Sequence, residues 1–196
     1  MSSNSLSKET EQSKKASCAD DQQERLIGWI LGFVDGEGCF SINFAKQPER
    51  QEKTRIRRGY KMGYQISHNF AVVQGQRSAD ALKAIKSFFG VGNIYRNRRY
   101  DNHKEDLFSY KVANRDDLDQ VIIPFFRRYR LKTSKQNDFE LFAKCVSKMQ
   151  KNEHLNVDGM LEIAKLTQQM NHKKSREKLI GILRDYTPRS LKSDKT

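Results

Sequence analysis

Two carboxylates stand at the end of the longest apolar run in this sequence. The apolar residues 26–34 have helical character, and Asp35 and Glu37 follow them, framed by Gly36 and Gly38. The dipole at a helix C-terminus favours cations, so two acids there indicate that something positive binds them. The chain has 37 Lys+Arg against 24 Asp+Glu, a formal net charge of +13. The pattern therefore predicts a divalent metal next to bound nucleic acid.

The composition narrows the class of protein. Excess positive charge favours an anionic partner, and nucleic acid ranks ahead of a membrane surface. The cysteines Cys18, Cys39 and Cys145 are scattered and form no CxxC pair, which argues against a zinc site and for a reducing compartment. The apolar run is too short to span a bilayer, so no membrane partner is predicted. An intracellular location follows, with bacterial cytoplasm and an organelle (chloroplast or mitochondrion) both open.

Local patterns predict the elements that position the two acids. Strands that arrive as hairpins between helices indicate a single α+β domain with one antiparallel sheet. The predicted strands are Gly38–Lys46, Gly63–Val73, Gly92–Arg99 and Leu107–Val112. The predicted helices run from Asp20 or Asp21 to Val34, and over Ala79–Phe89, Asp116–Ile123 (ended by Pro124), Thr133–Lys148, Val157–Met170 and Arg176–Tyr186.

Composition and local patterns divide the chain into three parts. Residues 1–20 are polar and are predicted to be a disordered tail. Residues 21–172 form the domain, and residues 173–196 form a C-terminal helix and basic tail. Within the first helix, Gly28 and Gly32 lie four apart on one face. Glycine costs about 1 kcal/mol in a helix interior, so the pair predicts close approach of another helix; a plain core helix is the alternative.

The sequence Ile30-Leu-Gly-Phe-Val-Asp-Gly-Glu-Gly38 resembles the signature of the LAGLIDADG homing endonucleases, which are intron- and intein-encoded DNA nucleases. Leu31 stands where the family usually has Ala, and Glu37 where many members have Asp; both changes are compatible with activity. Similarity continues through residues 88–94, 122–139 and 154–159, and it covers roughly Leu26 to Met170. At that breadth the false-positive risk of a short motif is small.

The resemblance implies a curved four-stranded antiparallel saddle with an αββαββα core and further C-terminal helices. It implies that two motif helices meet across a two-fold axis over the minor groove and hold Mg²⁺ (or Mn²⁺) there. Glu37 would be the principal ligand, with the Gly36 carbonyl. Asp35 is also a candidate metal ligand, but the resemblance favours a structural role in which it supports the turn. The other implied catalytic residues are Gln74, Arg77 and either Lys132 or Lys135.

Only one copy of the motif is present, and a double-strand break needs two acidic helix ends. The chain is therefore predicted to form a homodimer on a pseudopalindromic site in double-stranded DNA. The predicted dimer interface is Gly28, Trp29, Gly32 and Phe33.

Outward side chains of the strands are predicted to read bases, because a two-stranded ribbon fits the major groove. These residues are Ser41, Asn43, Gln65, Ser67, Asn69, Arg96, Arg98 and Lys111. The basic connection between the first two strands is predicted to contact phosphates through Lys46, Lys53, Arg55, Arg57, Arg58 and Lys61; a solvated loop is the alternative.

The predicted function is site-specific cleavage of long DNA sites, with short 3′ overhangs, by an intron-encoded homing endonuclease. The alternative is an intron maturase, with intron RNA as its partner, or another nucleic-acid-binding protein that does not cleave.

Overall fold

A computed structural model describes residues 4–47, 50–51, 54, 56–57, 62–98, 105–170 and 175–185, with the backbone alone for residues 4–19, 50–51 and 56–57. The helices are α1 (Asn4–Glu37), α2 (Ala79–Phe89), α3 (Arg115–Asp117), α4 (Ile123–Arg128), α5 (Lys135–Gln150), α6 (Val157–Gln168) and α7 (Glu177–Arg184). The strands are β1 (Gly38–Lys46), β2 (Arg50–Gln51), β3 (Ile56–Arg57), β4 (Tyr64–Gly75), β5 (Asn93–Asn97) and β6 (Leu107–Val112).

One antiparallel sheet carries the domain, with strand order β1-β4-β6-β5. The predicted class, a single α+β domain with a four-stranded antiparallel sheet, is confirmed. Strands β2 and β3 form a separate two-stranded ribbon inside the long β1–β4 connection. No helix in the described ranges is both long and apolar enough to cross a membrane.

The helix-facing side of the sheet forms the main core. Phe40 pairs with Phe70 across β1 and β4, and their rings stack at 5.1 Å between centroids. Phe126 of α4 and Phe142 of α5 pack on Phe40 at 5.5 and 5.4 Å. All four side chains are fully buried. The packing anchors β1, and therefore the end of α1 that runs straight into it.

A smaller apolar cluster closes the other end of the sheet. It joins Met62, Met160 of α6 and Leu183 of α7. Arg176 ties this end to β1, because its guanidinium donates to the Ile42 carbonyl at 3.2 Å and lies 5.4 Å from the Phe44 ring centroid. The last helices thus pack at the end of the sheet away from the start of β1.

Two predicted helix limits lie far from those of the structure. Helix α1 begins at Asn4 and not at Asp20 or Asp21. The preceding residues are mostly Ser, Lys, Glu and Gln and include no Gly or Pro, so nothing in them interrupts a helix.

The predicted end at Pro124 was also wrong. A π-helical turn over Leu118–Ile122 follows α3, and Pro124 lies in the first turn of α4. Proline is tolerated there because that turn needs no backbone N–H donor.

Candidate active site

The junction between α1 and β1 leaves no room for a side chain at Gly38. A Cβ at this position would lie 2.6 Å from Val34 Cγ1 and 2.7 Å from the Val34 carbonyl oxygen. Val34 itself is fully buried. Glycine therefore permits the helix to turn at once into a strand. The junction leaves Glu37, the last helical residue, exposed, with no hydrogen-bond or ion-pair partner in the described part of the chain.

Asp35 faces the segment that precedes α5. Its Oδ2 accepts from the Lys132 backbone N–H at 2.7 Å. Its Oδ1 accepts from the Thr133 N–H at 3.3 Å and the Thr133 hydroxyl at 2.8 Å. Both carboxylate oxygens thus hold this segment against the helix end. Of the two motif acids, Glu37 is the one left available to a cation.

Lys135 reaches the same helix end through its side chain. Its Nζ donates to the Val34 carbonyl at 3.0 Å and to the Gly36 carbonyl at 3.2 Å. A cation is electrostatically favourable at this end of a helix. Lys132 contributes its backbone N–H, while the residue itself is exposed. Of the two candidate lysines, Lys135 is the one whose ammonium lies at the acidic end.

Sheet register brings Gln74 to this corner. Gly38 pairs with Val72, so Gln74 lies two residues farther along β4, about 7 Å beyond that pair. Gln74 is the penultimate residue of β4 rather than the first residue after it. Arg77 follows in a 3-10 turn and is exposed, and its backbone N–H donates to Glu105 at 3.3 Å. Gln74 therefore lies near the end of α1, and Arg77 follows in the turn that leads into α2.

The oxygen donors at the corner suit a hard divalent cation. They are the Glu37 carboxylate and the Gly36 carbonyl. Within the described residues there is no group of three or more His, Cys, Asp or Glu that could hold a metal. Mg²⁺ fits such a sparse set, because it keeps several waters and uses one or two carboxylates plus substrate phosphates.

The sheet face opposite the helices is open and polar. Register puts Ser41 opposite Asn69 and Asn43 opposite Ser67 on this face, with Gln65 and Lys111 on the same side. His68 pairs with Ile42 on the core face, so the alternation does not slip there. We call this surface the open face. It carries six of the predicted base-reading residues: Ser41, Asn43, Gln65, Ser67, Asn69 and Lys111.

The prediction that Arg96 lies on the open face was wrong. It pairs with Phe108, in step with Ile94 opposite Tyr110, so its side chain lies on the face opposite Lys111. It forms an ion pair with Asp106 at 2.6 Å. Arg98 lies just beyond the end of β5 and is exposed.

The residues of β5 on the open face are Asn93, Tyr95 and Asn97, and Tyr95 is 53% exposed. The sequence does contain a signal for this assignment: alternation counted from the apolar Ile94 puts Asn93, Tyr95 and Asn97 on the open face.

Most basic residues of the connection between β1 and β4 lie outside the residues that the structure describes. Lys46 is exposed at the end of β1. Lys53, Arg55, Arg58 and Lys61 lie outside the described residues, and Arg57 is described only as backbone in β3.

The outer face of α1 is apolar and open. Nothing in the described chain lies within 4 Å of a Cβ built at Gly28 or Gly32. Trp29 is 39% exposed, and its ring lies 5.2 Å from that of Phe33. The opposite side of the helix is buried through Ile27, Ile30 and Val34. The four predicted interface residues therefore lie on a helix face that the described part of the chain leaves uncovered.

The model of the family described as LAGLIDADG endonuclease matches residues 30–146, which include the motif, the sheet and most of α5. The chain belongs to the LAGLIDADG endonuclease family. The solved homing endonuclease I-TnaI has a similar fold, with a TM-score of 0.63 and 31% identity over 81% of this chain and 95% of that one. The LAGLIDADG homing endonuclease I-LtrWI, solved bound to target DNA, has a TM-score of 0.66 and 33% identity over 80% of this chain and 47% of that one.

Curated relatives of this LAGLIDADG chain include fungal intron-encoded proteins. The probable intron-encoded endonuclease 2 of Neurospora crassa is 28% identical over 69% of this chain and 27% of that protein. An uncharacterized 50.9 kDa protein in ND4 intron 1 of Podospora anserina is 32% identical over 65% of this chain and 25% of that protein. The chain thus spans about a quarter of the length of these relatives.

Proposed function

We propose that this chain is a homodimeric, metal-dependent homing endonuclease encoded within an intron. It cuts both strands of a long pseudopalindromic DNA site across the minor groove and leaves short 3′ overhangs. One observation carries the proposal: an uncovered, glycine-bearing helix face leads directly to an exposed Glu37, with the Lys135 ammonium at the same helix end.

The dimer follows from the number of acidic helix ends. One chain presents a single Glu37, and cutting two strands needs a second. The chain matches 95% of I-TnaI but only 47% of I-LtrWI, which is consistent with one half of a two-part nuclease. A two-fold axis through Gly28 and Gly32 would bring both Glu37 side chains to one place. Trp29 and Phe33 would then supply apolar contact area.

Each residue of the corner has a distinct role in the proposed reaction. Glu37 and the Gly36 carbonyl would hold Mg²⁺ or Mn²⁺, and such an ion would activate the attacking water and stabilise the leaving oxygen. The Lys135 ammonium neutralises negative charge that develops on the scissile phosphate. Gln74 orients the attacking water, and Arg77 binds a flanking phosphate. Asp35 acts indirectly by fixing the segment that precedes α5.

The open face is the proposed DNA-reading surface. Its polar side chains enter the major groove and read base edges. Asn93, Tyr95 and Asn97 join the six predicted residues, while Arg98 and the basic connection between β1 and β4 bind backbone phosphates. Names such as "ND4 intron 1" among the relatives support an organelle as the site of action. We also propose residues 21–172 as the cleaving unit, between a 1–20 tail and a 173–196 C-terminal segment.

Cleavage of DNA that spans the intron insertion site tests the proposal. We expect scission with Mg²⁺, none with EDTA, and none in Glu37→Gln, with DNA binding retained in that variant. Tight binding without scission in the unaltered chain would instead support a maturase or another non-cleaving binder. A monomer mass by sedimentation, with and without DNA, would rule out the homodimer.

A matched pair of variants tests the choice of lysine. Lys135→Met should lower the single-turnover cleavage rate about 100-fold or more, since it removes a charge at the reacting phosphate. Lys132→Met removes the same charge three residues away and should leave the rate unchanged, because its backbone N–H still binds Asp35. Equal losses in both variants would contradict the assignment.

A further inference from the structure

A second polar cluster lies at the far end of β4 from the acidic corner. It lines a cleft of about 240 Å³ near Tyr64, the first residue of the strand. Ten residues separate Tyr64 from Gln74, a span of about 33 Å in a β-strand. The cleft is therefore separate from the proposed catalytic corner.

Buried side-chain nitrogen atoms without hydrogen-bond partners gather at and beside this cleft. Arg115 and His154 line it. Arg115 Nε, His154 Nδ1 and both ring nitrogens of His68 are buried and have no hydrogen-bond partner in the described chain. Buried polar nitrogens normally have partners, since an unsatisfied one costs about 1–3 kcal/mol. Each of these four nitrogens lacks the partner that a buried polar group normally has.

The electrostatics of the cluster are uncompensated. Burial, and after it the charges of Arg115 and His154, lower the pKa of His68 to about 4. Burial and Arg115 likewise lower the pKa of His154. The neighbouring acids are turned to other partners: Glu153 accepts from Lys148 at 2.9 Å, and Asp116 accepts from Gln150 at 2.9 Å.

The guanidinium is held in place by its other end. Arg115 donates from Nη1 to the Met149 carbonyl at the end of α5, at 2.7 Å. This bond fixes the orientation of the guanidinium. A fixed guanidinium beside imidazole donors suits the oxygens of a phosphate group.

We propose that this cleft binds a phosphate group through Arg115 and His154. The remaining walls come from Met62, Tyr64, Gln65, Ile66, Leu155 and Met160. Tyr64 and the methionines offer an apolar surface to whatever carries the phosphate. The phosphate can belong to a free phosphomonoester or to a phosphodiester of nucleic acid, and both sources present the same chemistry.

Histidine side-chain NMR of the full chain tests the site. The probes are inorganic phosphate, adenosine 5′-monophosphate and dithymidine monophosphate, whose only phosphate is a diester, each compared with sodium chloride at equal ionic strength. We expect saturable shifts of the His68 and His154 signals and a rise in both pKa values, because a bound anion favours the protonated imidazole. Response to inorganic phosphate or adenosine 5′-monophosphate but not to the dinucleotide identifies a free ligand, and response to the dinucleotide identifies nucleic acid.

Paired variants make the test specific. His154→Gln should weaken binding of the responding probe about tenfold or more, as expected for loss of a charge-assisted hydrogen bond. Lys151→Gln removes one exposed positive charge from the end of α5, outside the cleft, and should leave binding unchanged. If no probe gives a saturable shift in the unaltered chain, or if both variants weaken binding equally, the proposal is overturned.

Discussion

Two carboxylates two positions apart in the motif are used in different ways. Asp35 accepts three hydrogen bonds from residues 132 and 133, nearly a hundred positions later in the chain. Glu37 accepts none in the described structure and remains exposed. Their stability effects and their catalytic effects should therefore separate.

Asp35→Asn should destabilise the fold. The Asn amide nitrogen cannot accept from the Lys132 N–H, so we expect a loss of about 1–2 kcal/mol in the free energy of unfolding. Urea denaturation measures it, with Glu37→Gln as the matched control that leaves this free energy unchanged. Equal stability of the two variants would contradict the role given to Asp35.

His68 should make the fold sensitive to acid. Its folded-state pKa is about 4 against an ordinary 6.5, so the unfolded chain binds the proton more readily. Stability is then fully present above pH 6.5 and is lost as the pH falls towards 4. Between pH 7 and pH 5 the loss from this residue should be about 2 kcal/mol.

The measurement is the difference between the unaltered chain and His68→Leu in urea denaturation at several pH values. This comparison removes the titration of other groups, including His154. A difference that does not change between pH 7 and pH 5 would show that His68 titrates normally.

At the scale of elements, α1 serves two partners. Its inner side is buried on the sheet through Ile30 and Val34, while its outer side carries Gly28, Gly32 and the exposed Trp29. A helix that is apolar on both sides needs a second surface to pack against. The glycines allow that surface to be the backbone of another helix.

Gly32→Leu should separate folding from assembly. Its Cβ meets nothing within 4 Å in the described chain, so the monomer should still fold. The larger side chain should block helix contact, convert the dimer to monomer in sedimentation and abolish double-strand cleavage. Gly159→Ala provides the contrast: its Cβ would lie 2.1 Å from the Glu153 carbonyl oxygen, so it should cost about 1–3 kcal/mol of folding stability. A dimeric, active Gly32→Leu would place the interface elsewhere.

At the scale of the whole molecule, the net charge of +13 and the polar open face predict that the proposed DNA affinity depends on salt. The two faces of the β5–β6 pair allow this dependence to be mapped. Lys111 lies on the open face, and Arg96 lies on the other, paired with Asp106.

Lys111→Gln should weaken binding to the target duplex. It should also lower the slope of log affinity against log salt by about one, the effect of losing one phosphate contact. Arg96→Gln removes the same charge and should leave the slope unchanged. Fluorescence anisotropy over a salt series measures both, and a larger effect of Arg96→Gln would reverse the assignment of faces.

The sequence by itself determined the local elements. Strands β1 and β6 and helix α2 have the predicted limits, because alternation, helical periodicity and terminal glycines are signals within a few residues of each other. The sequence also determined the sheet class and pointed to Glu37, since the acids, their glycines and the preceding helix are contiguous.

Only the tertiary structure decided which distant groups meet. It brought the ammonium of Lys135, rather than that of Lys132, to the Gly36 carbonyl, and it bonded Asp35 to the segment before α5. It also placed Arg96 and Lys111 on opposite faces of the sheet. It also brought the imidazoles of His68 and His154 to Arg115. These contacts join residues far apart along the chain. Their geometry depends on how the helices pack on the sheet, and no local pattern records it.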